Sequence, residues 1–361
     1  MTRHRRRISV LAVLEDDDLL WEILLRLPPQ SSSLPRASVV GKRWWRLATD
    51  PRFLYQFYKH HQKAPLLGVF EYHEGILFTP VLDTPDRIPP ARFDIVRYGS
   101  HRDDDDSVFL FPIENTVLGC RHGLVLVGDY LWRKFIVYDP ITSEQCHVAV
   151  PFEFQGERFN GSVLCADRDK GHVQGACHSS PSPFKVVLVS MYKEYIDNYG
   201  QPIACVYSSE TSTWSGLIST EASHKCSHIG PSTLVGNVLY WPLHNWADNI
   251  LEFDLDTQDL IVIKGPPGMN DSSNFQIIKA KDGTVGVAVL SYHTLQIWQM
   301  MVNHRGVAKW LPRKTAALDN LLNIPRRTRR KREWLGLVGY DEDNDVILLE
   351  EEWDGAVSCC H

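Results

Sequence analysis

Serine and histidine stand together at Cys177-His178-Ser179-Ser180, the pairing a nucleophilic hydrolase needs, because a hydroxyl attacks only when a base takes its proton. The chain has no Gly-x-Ser-x-Gly elbow to present such a serine and no Gly-x-x-x-x-Gly-Lys loop to cradle a phosphate. Metal chemistry would draw on Cys165, His172, Cys177 and His178, or on the terminal Cys359-Cys360-His361. Neither group shows the two tight pairs of a zinc site, and no Cys-x-x-Cys occurs. Asp139, Asp254 and Asp256 come just before turn residues, where a carboxylate bonds the backbone of its own turn. The expectation is a non-catalytic chain with no cofactor and no metal.

The residues better suited to a role are those that anchor contacts. Tyr192, Tyr195 and Tyr199 lie in one polar insertion, and His244 and Trp246 follow the apolar Trp241. Aromatic side chains of this kind are favoured at protein interfaces, so these five are the candidate target-binding residues, with Trp241 read as core. The basic run Arg326-Arg327-Thr328-Arg329-Arg330-Lys331-Arg332 is read as a solvated loop, and Asp103 to Asp106 as its acidic counterpart. A net charge of −6 over 361 residues argues against a nucleic-acid partner.

With 43% hydrophobic and 23% charged residues, the chain has the composition of about two globular domains. No run reaches the roughly 18 apolar residues of a membrane span. Arg3, Arg5, Arg6 and Arg7 precede a short apolar run with no cleavage site, so residues 1–13 are read as a basic tail. The eight cysteines are scattered, many in or beside apolar runs, as reduced intracellular cysteines are, and a cytoplasmic or nuclear location is expected.

Positioning falls to two kinds of element. Leu19, Leu20, Ile23, Leu24 and Leu27 recur at helical spacing behind the acidic Asp16-Asp17-Asp18, and Pro28-Pro29 ends that helix. Ser33 with Pro35 starts a second helix, and Asp50-Pro51 a third over Arg52 to His61. Three short helices cannot bury Leu24, Leu27, Val39, Val40, Trp44, Leu47, Phe53 and Phe57 together, so part of this surface requires a partner.

This stretch resembles an F-box over residues 14–61. The resemblance implies that Leu14, Leu20, Ile23, Leu24, Leu27, Pro28, Leu34, Val40, Lys42, Trp44 and Leu47 form the face gripped by a Skp-type adaptor, and through it a cullin-RING ligase. Two positions depart from the family pattern: Gly41 stands where Cys is common, and Glu15 where Pro is usual. A glycine inside a helix costs roughly 1 kcal/mol, which would weaken the segment.

Beyond residue 65, short strand patterns bounded by Gly, Asn, Asp or Pro take over. Gly236-Asn237 and Asp282-Gly283 fall between apolar runs as hairpin turns. Tyr138, Tyr207, Phe253 and Trp298, taken as markers of outer strands, recur at intervals of 69, 46 and 45 residues. The last two match a repeat of four-stranded propeller blades, about six in all, the last ending without its outer strands after Leu349. The blocks Cys120-Arg121-His122-Gly123-Leu124-Val125-Leu126 and Ile250-Leu251-Glu252-Phe253-Asp254-Leu255 resemble the F-box-associated, kelch-like β-propeller of the large plant F-box families, in the form found in grasses.

The expected architecture is α+β and multi-domain: a three-helix F-box over 14–61, then an all-β kelch-like propeller over 62–361, incomplete at its C-terminus. The resemblance implies the substrate-recognition subunit of a Skp–cullin–F-box ubiquitin ligase, holding an unidentified target protein and no membrane. The alternative is a non-ligase interaction scaffold with a degenerate F-box.

Overall fold

In a computed structural model, the structure describes residues 16–61, 63, 65–72, 76–93, 115–129, 133–140, 143–154, 158–166, 183–192, 199–226, 228–244, 248–269, 274–291, 294–302, 308–318, 335–351 and 356–360. They form two compact units. One comprises the described residues up to Val69 together with Phe78–Phe93, and the other comprises the rest.

The first unit is helical, with α1 at Asp17–Leu25, α2 at Ser33–Ser38, α3 at Lys42–Ala48 and α4 at Pro51–His61. Asp16 caps α1, its Oδ1 accepting from the backbone N–H groups of Asp18 (2.9 Å) and Leu19 (3.2 Å). Asp50 does the same for α4, accepting from Arg52 N at 2.7 Å, with Pro51 as the first helical residue, where its missing N–H is not needed. Among the described residues there are four helices rather than the expected three. Gly41, extended at φ 172 and ψ 167, separates α2 from α3, and Ser32, not Ser33, is the residue flanking α2. Gly41 is therefore outside any helix interior, and the helix-propensity cost expected of it does not arise.

The second unit is built of antiparallel sheets made from consecutive strands. The first sheet is β3 (Asn115–Arg121), β4 (Leu124–Asp129), β5 (Lys134–Tyr138) and β6 (Gln145–Ala149). The second is β7 (Phe159–Cys165), β8 (Phe184–Tyr192), β9 (Tyr199–Ser208) and β10 (Thr213–Trp214), with the short β11 (Ile218–Ser219) and β12 (His224–Lys225) also on β9. In the third, β13 (His228–Ile229) and β14 (Thr233–Val235) share β15 (Val238–His244), followed by β16 (Asn249–Asp254) and β17 (Leu260–Lys264). The fourth is β18 (Phe275–Lys279), β19 (Val285–Ser291), β20 (Thr294–Val302) and β21 (Ala308–Ala317). The fifth is β22 (Leu335–Asp341), β23 (Val346–Glu351) and β24 (Ala356–Cys360). A two-stranded hairpin, β1 (Gly68–Tyr72) with β2 (Ile76–Pro80), precedes them all.

Tight turns set the registers. Arg121 pairs with Leu124 across His122 (φ 54) and Gly123 (φ 79), and Val235 pairs with Val238 across Gly236 (φ 64) and Asn237. Positive φ at His122, Gly123 and Gly236 matches the right-handed twist of the strands they join. Two expectations are corrected. Tyr138, Tyr207, Phe253 and Trp298 lie on β5, β9, β16 and β20, the third strand of each successive sheet and not the outer one. The fifth sheet does not stop after Leu349, because β24 pairs with β23 over five positions.

Strand alternation buries both faces of the sheets. In β4, Leu124 and Leu126 join Phe135 and Val137 on one face, packing against Phe159, Val186 and Leu188 of the second sheet, while Val125 and Val127 turn the other way. Similar apolar seams join the second sheet to the third around Trp241, the third to the fourth around Ile250 and Ile277, and the fourth to the fifth around Ala288 and Leu349. First strands lie beside first strands, β3 by β7, β14 by β18 and β18 by β22. Successive four-stranded meanders arranged in this way are the architecture of a β-propeller.

Candidate interaction surfaces

The helical unit has a core of its own. Leu20, Leu24, Ala37, Leu47, Phe53 and Phe57 are buried together, with Trp21, Leu27, Leu34 and Trp44 partly buried against them. Arg43 Nε donates to Asp17 Oδ1 at 2.6 Å and Arg46 lies 3.5 Å from the same carboxylate, tying α3 to the first turn of α1. What remains outside is unusually apolar: Val39 is 83% exposed, Val40 64%, Trp45 58% and Ile23 37%. A shallow, open depression lined by Trp21, Pro51, Arg52, Tyr55 and Gln56 lies on the same unit.

The positions aligned with an adaptor-gripping face thus divide by burial. Leu20, Leu24 and Leu47 serve the unit's interior; Leu27, Leu34 and Trp44 are half-buried; Ile23, Pro28, Val40 and Lys42 are exposed; Leu14 lies outside the described residues. Helical spacing predicts one apolar stripe on α1, but a 100° turn per residue places Ile23 beside Leu24 in sequence and away from it in space. Val39 counts among the apolar residues in excess of the core, but neither it nor Trp45 stands at a position of the adaptor-gripping pattern, because neither belongs to a periodic run. Their position on either side of Gly41 was the available signal.

In the sheet unit, Tyr192 is exposed at the end of β8 and His244 is half-buried at the end of β15, on different sheets. Tyr199 opens β9, its side chain outside what is described, and Tyr195 and Trp246 lie wholly outside the described residues. His244 stacks on its cross-strand partner His228, ring centroids 4.0 Å apart and planes 7° from parallel, with Phe275 at 5.1 Å. Burial, then the neighbouring His228, pushes its imidazole down to about 4. Trp241 is fully buried, the core role read for it from its setting.

At the ends of the first strands, groups from four sheets converge. Arg121 Nε donates to Glu342 Oε2 at 2.9 Å and Nη2 to Oε1 at 2.5 Å, a bidentate pair, while Nη1 donates to the Ser162 hydroxyl. Glu342 Oε1 also accepts from Leu234 N at 2.7 Å. The Arg121 side chain is 9% exposed. Burial works to lower its pKa, and the adjoining Glu342 carboxylate, together with Cys120 and Asp343, offsets this and leaves it raised.

Asp254 is a turn residue, its Oδ1 accepting from Asp256 N and Thr257 N, bonds that hold its carboxyl below the usual range. Among the described residues no group of three potential metal ligands occurs. Cys165 is buried and reduced, whereas His172, Cys177 and His178, like the Ser179-Ser180 pair, lie outside the described residues, as does His361. No described helix is long and apolar enough to cross a membrane.

No family model matches the chain, and no curated protein matches its sequence. Among solved structures it is similar to the Dos1 propeller, at 10% identity and a TM-score of 0.37 over 65% of this chain, and it spans 54% of the length of that one. It is similar also to a chain of the mitotic checkpoint complex, at 14% identity and a TM-score of 0.32, covering 77% of this chain and 74% of that chain.

Proposed function

We propose that this chain is the substrate-recognition subunit of a Skp–cullin–F-box ubiquitin ligase, its helical unit held by a Skp-type adaptor and its kelch-like propeller holding a target protein. The observation that carries the reading is the exposure of Val39, Val40 and Trp45 on a unit that already has a filled core. Apolar side chains of that size left in water are stabilised by a partner, at about 25 cal/mol per Å² covered. Such a subunit acts by proximity, raising the effective concentration of a target lysine near a ubiquitin thioester without a catalytic group of its own.

Replacing Val39 and Val40 together by Glu places two charges in the proposed contact without touching the core. An unpaired charge desolvated at an interface costs several kcal/mol and each 1.4 kcal/mol is tenfold, so adaptor affinity should fall by about two orders of magnitude or more. Calorimetry with a purified Skp-type adaptor and the full chain measures this, with circular dichroism as the folding control. Absence of adaptor binding by the unmodified chain, or equal binding by the folded double variant, removes the ligase reading and leaves a propeller scaffold.

A further inference from the structure

β21 is the outer strand of the fourth sheet, ten residues long, and three exposed cations on it share one face. Lys309 lies opposite Met301 and Lys314 opposite Ile297, so both stand on the face of β20 that carries Gln299. Arg313 joins them because the register shifts between Ile297 and Trp298, and a bulge re-aims the side chain it inserts. Lysines on an edge strand serve to keep other strands off, and Lys309 and Lys314 alone would mean no more than that. Arg313 is built differently. Its Nε donates to Gln299 Oε1 at 2.6 Å, and its Nη2 lies 3.4 Å from Met301 Sδ. Gln299 is only 7% exposed, and its amide nitrogen donates to the Asp282 carboxylate and to Thr284 Oγ1 at 3.0 Å. Asp282 in turn accepts from the backbone N–H and the hydroxyl of Thr284. A guanidinium only donates and a carboxylate only accepts, so the amide between them has one orientation. A buried polar relay thus aims an exposed cation.

We propose that β21 is a docking edge for an acidic, extended segment of a partner protein, whose carboxylates meet Lys309, Arg313 and Lys314. Lys309 and Arg313 are four residues apart on the strand, roughly 13 Å, the distance between side chains at i and i+4 of a second extended chain. Side chains of such a chain alternate, so a segment with an acidic residue at every second position turns one charged face to this one. Arg313 supplies the selective contact. Held through Nε, it offers its Nη groups to a carboxylate already oriented, and little rotamer freedom is lost on binding. Pro312 has no N–H to give, so a backbone ladder along this edge is interrupted and side-chain charge decides what docks. Under the ligase reading, on which that assignment rests, the segment belongs to the target; its docking is measured without adaptor, so either result can fail alone.

The test is fluorescence anisotropy of the full chain with a labelled peptide in which glutamate alternates with threonine, and with its glutamine counterpart. The glutamate peptide should bind, and the glutamine peptide about tenfold or more weakly. Arg313→Ala should weaken binding about tenfold or more, and Lys309→Ala and Lys314→Ala about threefold each. Lys185→Ala, at an exposed position on β8, should leave it unchanged. Gln299→Met keeps the net charge and releases Arg313, so a loss of about threefold or more in that variant reports orientation and not charge. Arg313→Lys, which keeps the charge without the fork, makes the same distinction at the surface should Gln299→Met unfold by circular dichroism. No binding of the glutamate peptide, equal binding of the glutamine peptide, or equal losses in Lys185→Ala and Arg313→Ala overturns the inference. So does tighter binding of a single-stranded oligonucleotide, which would make the edge a general surface for polyanions.

Discussion

Trp21 and Phe53 meet edge to face, ring centroids 5.0 Å apart and planes at 90°, and this contact fastens α1 to α4 in the helical unit. Phe53 is completely buried and also lies beside Phe57, at 5.9 Å, so one side chain serves both ends of a small core. The arrangement separates two roles that a stripe of leucines would otherwise confuse: residues that fold the unit and residues it offers outward.

Phe53→Ala should therefore act on folding. Truncating a buried Phe costs about 3–5 kcal/mol, a large share of what so small a core can supply. The expected result is loss of helical circular dichroism with the β-sheet signal retained, and adaptor binding lost as a consequence. Retained helicity would show that the core extends beyond these six residues.

Trp241 is fully buried, and its indole N–H has no hydrogen-bond partner among the described residues. A buried donor left unpaired costs about 1–3 kcal/mol, which partly offsets what the large ring contributes by packing against Leu239, Leu251 and Phe253. Trp241→Phe should thus change unfolding free energy by less than about 1.5 kcal/mol, and Trp241→Ala by about 3–5 kcal/mol. Urea unfolding of the two variants distinguishes these, and an equal loss in both would mean that the N–H is satisfied.

The stacked pair His228 and His244 predicts a pH dependence with a definite sign. An unfolded histidine titrates near 6.5, whereas burial and the facing His228 hold His244 down to about 4. Between these values the unfolded chain binds more protons than the folded one, so stability rises with pH through that window. The contribution is complete above about 6.5 and is lost as pH falls towards 4. Thermal unfolding measured from pH 4 to 7 should show this slope, and His244→Phe should flatten it. An unaltered slope in the variant would place the titrating group elsewhere.

Much of the local structure was written in the sequence, because its causes are local. Asp16 and Asp50-Pro51 start helices by satisfying the nearest free N–H groups, and Gly236-Asn237 supplies a turn geometry that few other residues adopt without strain. The 46- and 45-residue intervals showed because each sheet is one meander of consecutive strands, and a repeated meander repeats its spacing. Periodicity could not tell that Leu20 and Leu24 turn inward while Ile23 and Val40 stay in water, for it marks apolar residues without saying which of them the other helices reach. Nor could it single out Glu342, an acidic residue in an acidic turn, as the partner of Arg121. That pairing exists only once five sheets have packed in order and brought the ends of β3 and β22 together, where removal from water makes one carboxylate and one guanidinium depend on each other.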